Sequence, residues 1–245
     1  MPEIPKIIRN VKALRAIVSK WRKANKTIAL VPTMGALHEG HLSLVKLAKR
    51  KADKIIVSIF INPKQFAQNE DLNKYPRDEK ADQRNLSLVK TDLVWAPSDT
   101  EMYPAGYSTI IVPEGVAFPL EGKFRPQHFT GVATVCTKLF LQIMPDFAIF
   151  GEKDYQQLCV IRQLIQDLNL PLKIIAGAIS REKDGLARSS RNLYLSPDER
   201  AIAPALFHAL NSVAKSVRNG CEINKAIEAA KKNVLNAGFK KIDYL

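Results

Sequence analysis

Two histidines stand three residues apart in Pro32-Thr-Met-Gly-Ala-Leu-His38-Glu-Gly-His41, after an apolar run and at the mouth of a helical pattern. That spacing sets both rings on one helix face, beside backbone N–H groups and the positive end of the helix dipole, where phosphate is favoured. A single histidine is ordinary at a partly exposed helix start, but a pair flanked by Gly35 and Gly40 reads as a site. The zinc-protease pattern H-E-x-x-H needs histidines four apart, so this spacing excludes it. The phosphate loop G-x-x-x-x-G-K-[ST] and the dinucleotide fingerprint G-x-G-x-x-G are both absent. A further cation, Lys153, follows another apolar run in Gly151-Glu-Lys-Asp154. Imidazoles, an ammonium and a helix N-terminus are the means of holding phosphate charge.

Such residues must be positioned by the elements around them. Val11, Leu14, Ile17, Val18 and Trp21 recur at helical spacing and predict a helix over residues 9–24. A buried strand over 27–31, a turn over 32–39, a helix from about residue 38 carrying Leu42, Leu44, Val45, Leu47 and Ala48, and a strand over 54–61 form a βαβ unit with parallel strands. The alternation continues with a helix at 79–89, strands at 93–96 and 109–112, a helix at 130–143, a strand at 147–150, a helix at 155–168 and a strand at 172–179. The expected class is α/β, a doubly wound parallel sheet of Rossmann-like kind. In such sheets ligands lie beyond the carboxyl ends of the strands, where both His38 and Lys153 fall. After Asp184-Gly185 the sequence turns helix-rich, at 197–218 and 223–237, with a possible strand at 240–245. The boundary is placed near Ser180, giving a nucleotide-binding domain over 1–180 and a smaller one over 181–245, without repeats or a low-complexity linker.

Composition limits the alternatives. With 245 residues and 46% hydrophobic content the chain can bury a substantial core and lacks the signature of disorder. No apolar run approaches the roughly 18 to 20 residues of a membrane helix, and Met1 to Lys6 has no apolar block of a signal peptide. Cys136, Cys159 and Cys221 are odd in number and far apart, which fits reduced thiols in a cytoplasmic protein. A net charge of +13 fits a nucleic-acid binder and equally an enzyme with phosphate- and carboxylate-bearing substrates. The basic residues are spread along the chain, mostly as solvated helix faces, and no recognisable RNA-binding motif or aromatic-basic stripe accompanies them.

The His-x-Gly-His segment resembles the signature of the HIGH-motif nucleotidyltransferase superfamily, and the full string VPTMGALHEGHLSLV resembles the pantothenate synthetase (pantoate–β-alanine ligase) family. Four more segments follow in that family's order: Ser58-Ile-Phe-Ile-Asn-Pro-Lys-Gln-Phe66, Arg125-Pro-Gln-His-Phe-Thr-Gly-Val132, Phe150-Gly-Glu-Lys-Asp-Tyr-Gln-Gln157 and Gly185-Leu-Ala-Arg-Ser-Ser-Arg-Asn192. The resemblance implies activation of pantoate by ATP and transfer of the acyl group to β-alanine. Another adenylyl-transferring enzyme of the superfamily is the nearest alternative, and the paired glutamines argue against it.

The resemblance also assigns residues. It places ATP against Met34, Gly35, Ala36, Leu37, His38, Glu39, Gly40 and His41, with His41 as proton donor to the leaving pyrophosphate. Gly151 and Asp154 fall at the ribose and Lys153 at the α-phosphate, with Glu152 in the same ATP-binding segment. Ser180, Arg188, Ser189, Ser190 and Arg191 join the ATP set, the last three as a mobile phosphate loop that Gly185 lets move. Gln65 and Gln157 match pantoate-binding amides, which donate to a carboxylate without repelling it. Phe60, Val132 and Val135 line pantoate's apolar side or are ordinary core. Arg125 and His128 fall on the phosphate or β-alanine side, and Asp82 on a magnesium position whose acidic neighbour in some relatives is Ala81 here, while the sequence by itself favours reading Asp82 as an exposed helical carboxylate. Mg²⁺ is the implied cofactor and a homodimer the implied assembly, with no nucleic-acid or membrane partner. Arg188 and Lys64 depart from the family pattern, and the C-terminal domain is shorter than the family's by a few tens of residues.

Overall fold

The computed structural model describes residues 3–68 and 70–245. The chain divides into two compact units, Met1–Ile179 and Ser180–Leu245. The first unit runs β1 (Lys6–Ile8), α1 (Val11–Lys23), β2 (Ile28–Thr33), α2 (Glu39–Lys49), β3 (Lys54–Ile59), α3 (Glu79–Leu88), β4 (Leu93–Trp95), α4 (Asp99–Met102), α5 (Glu121–Phe124), α6 (His128–Ile143), β5 (Phe147–Gly151), α7 (Tyr155–Asp167) and β6 (Lys173–Gly177). Among the described residues the sheet has six strands in the order β1-β4-β3-β2-β5-β6, every pairing parallel. From β2 the chain winds one way through β3 and β4 and then the other way through β5 and β6. The reversal leaves a crevice between the ends of β2 and β5.

The strands are apolar throughout because both faces are covered. Side chains alternate across a strand, so Ile28, Leu30, Ile56, Leu93, Trp95, Ala148 and Phe150 join one core cluster with residues of α1, α6 and α7. Ala29, Val31, Ile55, Val57, Val94 and Ile149 join the other, with residues of α2 and α3. Carboxylates tie down the amino ends of the central strands. Asp53 accepts from Thr27 N, Asp146 from Ile28 N and Asp92 from Ile55 N, at 3.0, 2.6 and 2.9 Å. Acidic residues at that edge therefore satisfy backbone donors that the ladder leaves over.

Three expectations are corrected. Residues 109–112 join no strand: Ile110 and Val112 are exposed, Ile111 packs on the core, and its N–H is taken by Thr134 Oγ1 at 3.0 Å. Residues 240–245 form no strand, and Phe239, Ile242 and Leu245 pack on the small core of the second unit. The helix expected over 197–218 is two, α8 (Pro197–Ile202) and α9 (Ala205–Arg218), broken at Pro204, whose ring cannot continue a helix interior. The second unit also holds α10 (Ile223–Asn236), which meets α9 through Ala209, Ala230 and Val234. The capping box at Ser196 and Glu199 starts α8. No helix among the described residues is long and apolar enough to cross a membrane.

Candidate functional site

β2 ends at Thr33, and the chain turns through Gly35 and Ala36, both at positive φ (83° and 50°), before α2 begins. His38 is the N-cap of α2. Its Nδ1 accepts from Gly40 N at 3.1 Å, while His41 Nδ1 accepts from His38 N at 3.3 Å, so the two rings cap the helix reciprocally. Their centroids lie 4.1 Å apart. With each Nδ1 accepting, a neutral ring at either position carries its proton on Nε2. Burial, reinforced by His38 and Lys153, drops the His41 imidazole to about 3, so it is neutral at pH 7. His41 thus presents a hydrogen-bond donor whose charge does not change near neutrality.

β5 pairs with β2, and its end supplies Gly151, Glu152, Lys153 and Asp154, the last three in a 3-10 turn leading into α7. The Lys153 ammonium lies 3.2 Å from Asp154 Oδ1, both side chains substantially exposed, and it bears electrostatically on His41. Gln156 is spent on structure: it accepts from Glu121 N and donates to the carbonyls of Val116 and Pro119. Gln157, one residue on in α7, is half-buried.

Gln65 ends the 3-10 turn Pro63–Gln65 after β3. Its Nε2 touches Met34 Sδ at 3.1 Å, joining it to the histidine turn, and its Oε1 accepts from Asn62 Nδ2 at 3.2 Å. Asn62 is buried and also donates to Gly131 O at 3.1 Å, while its Oδ1 accepts from Tyr103 Oη at 2.7 Å and Lys64 N at 3.3 Å. With Oε1 engaged by Asn62, the amide of Gln65 is fixed with its donor end turned toward Met34. Asn62, which holds this amide, was not among the expected site residues; the signal available was its place in the segment 58–66, a polar side chain shortly after β3.

Arg125 and His128 converge on Gln65 from behind. Arg125 Nη2 donates to Gln65 O at 3.3 Å, and His128 Nδ1 lies 3.1 Å from the same oxygen. The remaining Arg125 donors go to Glu70 and Glu121. Burial lowers the His128 pKa, so this ring too favours its neutral form. Gly131 completes the arrangement: a Cβ there would overlap the Lys64 carbonyl and come within 2.7 Å of Gln65 Cα. Phe60, Val132 and Val135 are buried in the main core cluster.

Asp82, in the first turn of α3, is buried and not the exposed helical carboxylate expected, because it points at the histidine turn, its Oδ2 accepting from Ala36 N at 2.9 Å and its Oδ1 from Leu37 N at 2.6 Å. Burial raises its pKa against the lowering effect of those two N–H groups. Among the described residues no group of three His, Cys, Asp or Glu side chains can hold a metal ion. Nearby Asp78 caps α3 through Ala81 N, and Glu79 is paired with Arg9. This donor set does not fit a protein-built Mg²⁺ site. A cavity of about 680 Å³ opens beside the turn, lined by Met34, Phe60, Arg77 and Asp82 among others.

In the second unit Arg188 pairs with Glu182 at 3.0 Å and its N–H bonds Ser180 O at 3.0 Å. Ser189 caps the 3-10 segment Ser190–Tyr194, accepting from Arg191 N at 3.2 Å, and Ser190 is buried. Gly185 (φ 94°) closes a tight turn with its N–H on Glu182 O, over Phe207. A glycine is required there by turn geometry, whatever movement the segment has.

A family model for pantoate–β-alanine ligase matches residues 6–245. A pantothenate synthetase of Rhodopseudomonas palustris is 52% identical over all of this chain and 87% of its own length, and one of Caulobacter vibrioides is 52% identical over 98% of this chain and 85% of its own. Among solved structures, pantothenate synthetase of Thermus thermophilus superposes with a TM-score of 0.90 at 41% identity, over 95% of this chain and 83% of that one. Pantoate–β-alanine ligase of Francisella tularensis, complexed with β-γ ATP and β-alanine, gives 0.83 at 36%, over 94% and 86%. Sequence, fold and the ordered arrangement around His38, Gln65 and Lys153 agree, and the chain belongs to the pantoate–β-alanine ligase family.

Proposed function

We propose that the protein condenses pantoate with β-alanine in two steps at the crevice between β2 and β5, consuming ATP and releasing AMP and pyrophosphate. The observation that carries the assignment is the joining of three groups there: the reciprocally capped histidines, Lys153, and the Gln65 amide held against Met34. Making an amide from a carboxylate requires turning one oxygen into a leaving group. A pantoate carboxylate oxygen attacks the α-phosphorus of ATP, and the bond from that phosphorus to the bridging oxygen breaks toward pyrophosphate. The nitrogen of β-alanine, having lost its ammonium proton, then attacks the acyl carbon, and the carbon–oxygen bond to AMP breaks.

Every group in the first step is anionic, so positioning and electrostatic stabilisation supply the rate. His38 and His41 offer Nε2–H to phosphate oxygens, His41 donating a hydrogen bond as a neutral ring. Lys153 balances charge at the α-phosphate, with Gly151 and Asp154 at the ribose. Gln65 and Gln157 hold pantoate, and Asn62, Arg125 and His128 hold Gln65. In the second unit Ser180, Arg188, Ser189, Ser190 and Arg191 are assigned to ATP. Mg²⁺ enters with ATP as part of the substrate. The working form is a cytoplasmic homodimer without a nucleic-acid partner.

The test incubates the protein with ATP, Mg²⁺ and pantoate, with and without β-alanine, and measures pyrophosphate and AMP. Pyrophosphate that requires pantoate, with AMP that requires β-alanine, is expected. Tight, salt-sensitive RNA binding without pyrophosphate formation would overturn the assignment.

A further inference from the structure

Asp82 has its two oxygens committed to consecutive backbone N–H groups of the turn that carries the histidines. Three observations bear on what that does. The contacts are short, 2.9 Å to Ala36 N and 2.6 Å to Leu37 N, and join residues 45 and 46 positions apart in sequence. The clamped turn is one that side chains disfavour, with Gly35 at φ 83° and Ala36 at φ 50°, so it needs an external hold. Gly35 is also the residue that admits the carboxylate: a Cβ there would stand 3.0 Å from Asp82 Oδ2 and 3.1 Å from Ile59 Cγ2.

The next residue after the clamp is His38, whose backbone N–H is received by His41 Nδ1. The order of contacts is therefore Asp82, Leu37, His38, His41, each fixing the next. Among the described residues no group of three His, Cys, Asp or Glu side chains completes a metal site with Asp82, and the neighbouring Asp78 and Glu79 are engaged in capping α3 and pairing with Arg9.

We propose that Asp82 is a positioning residue, which holds the histidine turn in its strained form and so sets the two Nε2–H donors for adenylation, and that it is not a magnesium ligand. This rests on the function proposed above and deepens it. The role differs from general stabilisation because the histidines matter to pyrophosphate departure, which is over before the amine reacts.

Asp82→Asn keeps the shape and one accepting oxygen but turns an NH₂ group toward one of the two N–H donors. In that variant, amide exchange at Ala36 and Leu37, measured without any substrate, should accelerate about tenfold or more. Pantoate-dependent pyrophosphate formation at saturating Mg²⁺ should fall about tenfold or more, with the half-saturating Mg²⁺ concentration within about twofold of the parent protein. Attack of β-alanine on preformed pantoyl adenylate should stay within about threefold. Gly35→Ala, which presses on the same carboxylate from the turn side, should repeat this pattern and serves if Asp82→Asn does not fold. Unchanged exchange at Ala36 and Leu37, equal loss in both half-reactions, or a raised Mg²⁺ requirement with the full rate recovered at high Mg²⁺ overturns the proposal. If the parent protein forms no pantoate-dependent pyrophosphate, the proposed function falls, while the exchange measurement still decides whether the clamp exists.

Discussion

A histidine whose Nδ1 accepts a backbone N–H and whose pKa is held near 3 can serve only as a neutral donor around pH 7, and this gives His41 a pH signature. The folded-state value lies below the ordinary 6.5, so between about 3 and 6.5 the unfolded chain binds the extra proton and the folded protein loses stability as pH falls. Acidification from about pH 7 to about pH 5 should therefore lower the melting temperature of the parent protein more than that of His41→Gln, which has no such proton to take up. Equal shifts would show that His41 is not held neutral. Gln65 and Gln157 yield a second expectation. Replacing either with Ala should raise the pantoate concentration needed for half-maximal rate about tenfold or more, since a hydrogen bond to a charged group contributes about 1.5 to 3 kcal/mol, and should leave the ATP requirement nearly unchanged. Loss of ATP affinity with pantoate affinity kept would contradict that role. The histidine pair was readable in the sequence because its contacts are local, three residues apart. Asn62 was not, because its partners Tyr103 and Gly131 lie 41 and 69 positions away.

Among the elements, the carboxyl ends of β2, β3 and β5 carry the residues proposed for the chemistry, while the amino ends are fastened by Asp53, Asp92 and Asp146. The turn that follows β3 reaches its working place only because α6 has a glycine where the two backbones meet. Gly131→Ala should push the Pro63–Gln65 turn away from α6, cost pantoate affinity more than ATP affinity, and weaken folding by on the order of 1 to 3 kcal/mol, the usual range for overpacking. Titration of both substrates together with a denaturant melt checks it, and unchanged pantoate affinity would mean that Gln65 is not placed by this contact. The strands of the central sheet were legible as unbroken apolar runs, since burial on two faces leaves no polar alternation to misread. Residues 109–112 have the same branched residues, yet only Ile111 turns inward and no neighbouring strand receives the rest, a fact of tertiary pairing that composition does not encode. Lys6–Ile8 failed in the opposite sense, being only three residues long yet paired with β4. Pro204 was visible, but a helical pattern on both sides masked the break.

For the molecule as a whole, the net charge of +13 did not separate a binder of nucleic acid from an enzyme of anionic substrates. What separates them is where cations and donors stand, at the carboxyl ends of strands on either side of the point where the winding reverses. The roles of Arg125 and His128 were less legible: the family pattern points to substrate, while their contacts are to Gln65, Glu70 and Glu121, a network visible only once α5, α6 and the turn after β3 are together. In the proposed reaction one oxygen of pantoate's own carboxylate becomes the bridge of the acyl–AMP linkage. Pantoate labelled with ¹⁸O in its carboxylate, turned over with ATP and β-alanine and followed by mass spectrometry of the products, tests it most directly. One ¹⁸O in AMP for each pantothenate formed, and none in pyrophosphate, is expected; AMP without label, or label appearing in inorganic phosphate, would rule this route out.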